Sequence, residues 1–210
     1  MIMTMASIGL ACGVIISITY QSTFATIKEN KAQYLEKSIF EVLPNTSEKI
    51  IFAYVDDVLR PLEEGEDAQV KYYAGYDNDQ QLTGIAIEAE GQGFQELLRI
   101  LYGYSPECHC IVGMKVLESK ETPGLGDKIE TDPQFRANFD ALDVTLNSDM
   151  NTIINPIVLV KPRQKTDPWQ IESISGATIS SLAIADMLRL NTALAIPFIE
   201  DNLNTFAERN

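Results

Sequence analysis

Three short segments carry residue types whose spacing could do chemistry. Glu172-Ser173-Ile174-Ser175-Gly176-Ala177-Thr178-Ile179-Ser180-Ser181 is a small-residue turn that feeds into an apolar helical pattern. Gly176 lets the backbone come close to a ligand, and the unpaired N–H groups at a helix start favour a phosphate. Thr178 puts a hydroxyl at that same start, although a Ser/Thr/Gly turn in this position is more often an N-cap and nothing else. The second segment, Glu121-Thr122-Pro123-Gly124-Leu125-Gly126, follows a strand-like run. Pro123-Gly124 fits a type II turn in which the glycine supplies a positive φ. The third is Cys108-His109-Cys110. On a strand the two cysteines would share one face with His109 on the other, and three residues so close cannot all bind one zinc without a sharp turn. Free thiols, a strained and easily reduced disulfide, and a redox or metal role all remain open for it.

Composition removes several classes of function. Thirty acidic against sixteen basic residues give a net charge of −14 over 210 residues, a field that repels phosphate backbones and argues against a nucleic-acid partner. His109 is the single histidine, so neither a His-rich metal site nor a Ser-His-Asp hydrolase is expected, and no metal site is assigned. Three cysteines cannot build a disulfide scaffold for this length. There is no G-x-G-x-x-G unit, no Cys₄ iron–sulfur spacing and no evident proton-abstracting base, so no catalytic residue is assigned.

The elements that must position these segments start with an uncharged run. Residues 1–27 contain no Asp, Glu, Lys or Arg. As a helix they would extend about 40 Å, enough to cross a hydrocarbon core of about 30 Å, and they are expected to form a single transmembrane helix. Gly9, Gly13 and Ser17 recur every four residues and would let another helix approach closely. Lys28, Lys31 and Lys37 follow the span, which taken alone favours a cytoplasmic C-terminal part. Residues 28–44 read as a stalk helix stopped by Pro44, with Tyr34, Leu35, Ile39, Phe40, Val42 and Leu43 as its apolar stripe. Strands are expected over Ile50–Val55, Val70–Tyr76, Leu82–Glu88, Cys110–Leu117 and Ile153–Val160, while residues 94–102 suit a short helix or a strand equally. A helix begins near Ile179, and Pro197 suits the first turn of a separate last helix. Strands first and helices later predict an α+β domain over residues 45–210.

Taken together, the two Gly/Thr segments and the N-terminal span resemble the FMN-binding domain family, in particular the G subunit of the Rnf ion-translocating electron transport complex. The C subunit of the sodium-pumping NADH:quinone reductase is related to it. The resemblance runs from the span and Val42-Leu43-Pro44 to the C-terminal helix. It implies a mixed-sheet FMN-binding domain with one FMN, carried as a phosphoester on the threonine of an S/T-G-A-T motif. That motif is matched by Ser175, Gly176, Ala177 and Thr178, and E-T-P-G-L-G, which is expected to border the flavin, by Glu121 to Gly126. The family usually has Asp where this chain has Glu172, and a shorter Gly-rich link where this chain has Ser105 to Cys110. The resemblance further implies an electron relay in a membrane complex that couples ferredoxin:NAD electron transfer to Na⁺ or H⁺ translocation. Its implied partners are the other Rnf-type subunits and an FAD-dependent flavin transferase. The implied location is the prokaryotic cytoplasmic membrane, with the FMN domain on the extracytoplasmic side, against the lysine pattern. Two other readings stand beside it: a membrane-anchored sensor that holds a phosphate ligand non-covalently, and a structural protein used only for assembly.

Overall fold

The computed structural model describes residues 2–55, 58–63, 65–66 and 68–208. The uncharged run and the expected stalk form one unbroken helix, α1 (Ile2–Val42). The chain divides into two compact units, Met1–Lys37 and Ser38–Asn210. In the first, large apolar side chains such as Ile8, Leu10, Ile15 and Ile18 are exposed. The most apolar window of α1 has a mean hydropathy of 2.0, so the helix is long and apolar enough to cross a membrane. Of the predicted stalk stripe, Ile39, Val42 and Leu43 are buried, whereas Tyr34 and Phe40 stay exposed.

The second unit is built on β1 (Glu48–Val55), β2 (Val58–Pro61), β3 (Lys71–Tyr76), β4 (Leu82–Gln92), β5 (Leu97–Ser105) and β6 (Cys110–Glu118). Three short helical turns follow, α2 (Lys128–Thr131), α3 (Pro133–Arg136) and the 3₁₀ turn Ala137–Phe139, then β7 (Leu142–Asp143), β8 (Val158–Val160) and β9 (Gln170–Glu172). The chain ends in α4 (Thr178–Asp201) and α5 (Leu203–Ala207). β1 to β7 form one sheet in the order β2-β1-β3-β4-β5-β6-β7, with each neighbouring pair antiparallel, while β8 and β9 pair in parallel as a separate two-stranded sheet. The fold is α+β, as the order of elements predicts.

Alternation along the strands gives the main sheet two different faces. One carries Tyr72, Ala74, Tyr76, Ile85, Ile87, Ile100, Tyr102 and Tyr104, which join Ile184, Leu188, Ile196 and Ile199 of α4 and Phe206 of α5 in the core. Three buried phenols on this face point their hydroxyls at the helices. Tyr76 Oη donates to Phe206 O at 2.6 Å, Tyr102 Oη to Asn191 Oδ1 at 2.5 Å, and Tyr104 Oη to Glu200 Oε1. The other face receives the last turn of α1 on a row of glycines that the register aligns: Gly75 opposite Gly84, and Gly103 opposite Gly113. A methyl group built on Gly103 would lie 2.2 Å from Val42 O, and one on Gly113 2.8 Å from Val42 Cα. The Leu43 side chain would likewise lie 2.9 Å from a methyl group built on Gly75 or Gly84 and 2.8 Å from one on Gly103. Lys115 Nζ adds an ion pair to Glu41 at 2.6 Å.

One open alternative is resolved and two expectations are revised. Residues 97–105 are a strand; Leu98 and the run Ile100–Ser105 are buried between β4 and β6, which hides the two-residue alternation. The expected strand Ile153–Val160 shrinks to β8, with Ile153 making only an isolated bridge to Leu146. Pro197 does not start a new helix but lies inside α4, where Ile196 and Ile199 are fully buried. Tertiary packing on both sides of the proline carries the helix through the missing N–H.

Candidate functional site

The segment between β6 and α2 folds around one backbone carbonyl. Thr122 O accepts from Leu125 N at 3.1 Å, Gly126 N at 3.0 Å and Asp127 N at 3.4 Å. Gly124 has φ +77, as a type II turn requires after Pro123. Glu121, at the entrance to the turn, is only 6% exposed. Its Oε1 accepts from Phe94 N at 2.8 Å and Gln95 N at 3.3 Å, and its Oε2 accepts from Ser180 Oγ. One carboxylate therefore joins the β4–β5 loop, the Thr122 turn and the first turn of α4, and its buried oxygens are satisfied by the donors they hold. Gln95 Nε2 adds a bond to Thr122 Oγ1 at 2.9 Å.

The other wall is the entry to α4. Gly176 has φ +86, a conformation unfavourable to residues with a Cβ, and turns the chain so that Ser175, Gly176 and Thr178 are exposed while Ala177 is buried. Ala177 occupies the N-cap and no side chain caps this helix end. Beneath it, Ser181 Oγ accepts from Ile174 N at 3.1 Å and donates to Ala177 O at 2.9 Å, which fixes the loop from inside. Glu172, six residues before Thr178, is turned towards the β8–β9 connection, where its Oε1 accepts from Arg163 N at 2.5 Å.

The two walls enclose an open cleft of about 330 Å³ lined by Phe94, Glu121, Thr122, Leu125, Gly126, Gly176, Ala177, Thr178, Ile179 and Ser180. The structure thus brings seven of the ten residues singled out in the sequence to one place. Ser175, Pro123 and Gly124 shape the loops without lining the cleft. Phe94, Ile179 and Ser180 were not foreseen as site residues. The only signal for Phe94 was the Gly-Gln-Gly punctuation at 91–93, and for Ile179 its place as an apolar residue at an otherwise polar helix start. Phe94, Leu125 and Ile179, large apolar groups that line the same cleft as Thr178, are 59%, 51% and 55% exposed. Among the described residues, no Lys or Arg lines the cleft. Among the described residues, no group of three His, Cys, Asp or Glu side chains is placed to hold a metal ion.

Residues 93–191, which include both walls, match the FMN-binding domain family. The chain is 32% identical over 189 residues to the G subunit of the ion-translocating oxidoreductase complex of Methanosarcina acetivorans, covering 89% of this chain and 88% of the relative. The chain belongs to the family of these G subunits. The G subunit of Pasteurella multocida is 33% identical over 192 residues, covering 88% of this chain and 87% of that one. Among solved structures, the C subunit of the Na⁺-translocating NADH-quinone reductase of Parabacteroides distasonis superposes with a TM-score of 0.52 at 19% identity, over 79% of this chain and 80% of that one. NqrC of Shewanella oneidensis gives 0.52 at 21% identity over 66% and 59%. At these identities the likeness establishes the fold that the G-type chain shares with them.

The cleft fits an FMN. Its volume lies in the range of small-molecule sites, about 300–1,000 Å³. The exposed Phe94, Leu125 and Ile179 suit a flat aromatic ring system, and the uncapped helix end suits a phosphate.

Proposed function

We propose that this protein is the electron-relay member of a membrane complex and carries one FMN as a phosphoester on Thr178 Oγ1. The observation that carries the reading is the exposed Thr178 at an uncapped helix start in a cleft that no Lys or Arg lines among the described residues. A phosphate held only by non-covalent contacts would have the helix end alone to balance its charge, worth about 0.3–2 kcal/mol. An ester to Thr178 keeps the group in place whatever the affinity of the cleft. The same absence of cations weighs against the non-covalent sensor.

Within that reading the uncapped N–H groups of α4 face the phosphate, and Phe94, Leu125 and Ile179 cover part of the ring. The Thr122–Gly126 turn, held by Glu121, forms the opposite wall. FMN, when bound, supplies the redox chemistry, and the protein supplies its orientation and access. The ester is made by a separate FAD-dependent flavin transferase. Thr178 Oγ1 gains the bond to the flavin-side phosphorus, the pyrophosphate bond of FAD breaks, AMP leaves, and the hydroxyl proton passes to a base on the transferase.

α1 anchors the chain by a single pass in a prokaryotic cytoplasmic membrane, with the flavin domain on the extracytoplasmic side and the other members of the complex as partners. The complex couples ferredoxin:NAD electron transfer to Na⁺ or H⁺ movement. A denaturing gel viewed under ultraviolet light tests the central step. Protein coexpressed with the transferase is expected to leave a fluorescent band that Thr178→Ala abolishes. A colourless wild-type band, or a band that survives Thr178→Ala, refutes it.

A further inference from the structure

The β5–β6 connection is the one chemistry-bearing segment of the sequence that the flavin site does not use. Its four residues Pro106–His109 form a tight turn, and a disulfide joins Cys108 to Cys110 across His109. The two sulfurs are in different settings: Cys108 is exposed, whereas Cys110 is 6% exposed at the start of β6.

The bond does little to hold the fold. It closes a loop with only one residue between the cysteines, so its loop-closure contribution is small. The same turn is tied down without it. Ser105 pairs with Cys110 and Tyr104 with Ile111 in the ladder, and Val144 N donates to His109 O at 3.1 Å. From the side-chain side, His109 Nδ1 lies 3.3 Å from Tyr104 Oη and 3.6 Å from Glu200 Oε1. The reduced form is also provided for: Ser105 O and Cys110 O lie 3.8 and 3.9 Å from Cys108 Sγ, where a thiol could donate. A disulfide that is accessible at one sulfur and unnecessary for its surroundings is of the labile rather than the structural kind.

The geometry points to Cys108–Cys110 as a thiol–disulfide exchange site that accepts two electrons from a partner dithiol. A thiolate of the partner attacks the exposed Cys108 Sγ, the Cys108–Cys110 bond breaks, and Cys110 leaves as a thiolate that takes up a proton. The partner's second thiolate then attacks its own sulfur in the mixed disulfide. That step releases Cys108 as a thiol and leaves the partner oxidised, so two electrons and two protons have moved to this chain. The site is separate from the flavin cleft. His109 meets α4 at Glu200, and Thr178 is at the other end of that helix, about 33 Å away along its axis.

The test uses the full chain in detergent with Cys12→Ser, which removes the other cysteine, and dithiothreitol as the dithiol. Native protein is expected to show no alkylatable thiol by intact mass as purified, two after dithiothreitol, and none again after oxidised glutathione, with circular dichroism unchanged throughout. Two free thiols in unreduced protein, thiols that appear only in denaturant, or loss of structure on reduction would each overturn the proposal. In the same background Cys110→Ser should form a mixed disulfide with an aromatic disulfide probe at Cys108. Cys108→Ser, with its thiol buried, should react at least about tenfold more slowly if access governs exchange. Equal rates would overturn the assignment of Cys108 as the attacked sulfur. Neither readout involves the flavin, so this proposal and the Thr178 ester fail independently.

Discussion

Replacing Glu121 with alanine removes the acceptor for three donors at once: Phe94 N, Gln95 N and Ser180 Oγ. A hydrogen bond to a charged group contributes about 1.5–3 kcal/mol, and a donor left buried without a partner costs about 1–3 kcal/mol. The two backbone donors belong to residues that are themselves exposed, so water can replace the carboxylate there, whereas Ser180 is 2% exposed and has no such relief. Discounting for that leaves a loss of about 3 kcal/mol, one fully buried bond and parts of two others. For a unit of this size each kcal/mol lowers the unfolding midpoint by about 2–4 °C, so Glu121→Ala should unfold about 6–12 °C early. Glu121→Gln keeps one carbonyl oxygen for the backbone donors but loses the charge, and should cost about 1 kcal/mol. The assay is thermal unfolding by circular dichroism, with flavin loading measured by in-gel fluorescence on the same samples. Loading should fall in the order wild type, Gln, Ala as the walls of the cleft part. An Ala variant within about 0.5 kcal/mol of wild type, the scatter of an ordinary surface change, would refute the idea that this carboxylate holds the site together.

Thr178→Val, an exposed change of similar shape, should leave stability within about 0.5 kcal/mol of wild type by denaturant titration while eliminating in-gel flavin fluorescence. Gly103→Ala forces a methyl to within 2.2 Å of Val42 O, and should cost at least about 1–3 kcal/mol, read from the same titration. Burial pushes the Tyr102 phenol far above the usual tyrosine range, with the Tyr72 phenol adding to it. Its proton is then held more tightly in the folded than in the unfolded chain, so the stability it contributes is intact below about pH 10 and declines as pH rises further, by up to about 1.4 kcal/mol per pH unit. Tyr102→Phe should flatten alkaline unfolding by that slope, followed through circular dichroism and phenolate absorbance.

Much of the site was legible because its two loops need particular residues for local backbone reasons. Gly124 and Gly176 are required by positive φ whatever the rest of the chain does, and they mark the two loops that carry the other site residues. The β3 and β4 runs showed through in the same way, since Val70–Tyr76 and Leu82–Glu88 lie close to the observed Lys71–Tyr76 and Leu82–Gln92. What stayed hidden depends on pairing. The role of Glu121 exists only once Phe94 and Ser180 are folded against it, and no spacing rule connects the three. Leu97–Ser105 has no clear period because both of its faces are covered, and Pro197 resembles a helix start because burial of Ile196 and Ile199 cannot be seen from the local sequence. The Cys-His-Cys run showed its residue types but not its turn. His109 adopts φ +50, off the strand geometry, and the disulfide forms across it.

The glycine row under Leu43 also has a bearing on how the sheet aligns itself. Gly75, Gly84 and Gly103 come from three strands and make room for one leucine side chain. Sliding a strand by two residues within its regular stretch keeps its faces the same but changes what arrives at that spot: Tyr73 or Asp77 on β3, Ala86 on β4, Leu101 or Ser105 on β5. None of these leaves the space that Leu43 fills. A single side chain at the end of α1 therefore serves as a gauge of alignment for three strands together, and a misthreaded sheet could not seat it.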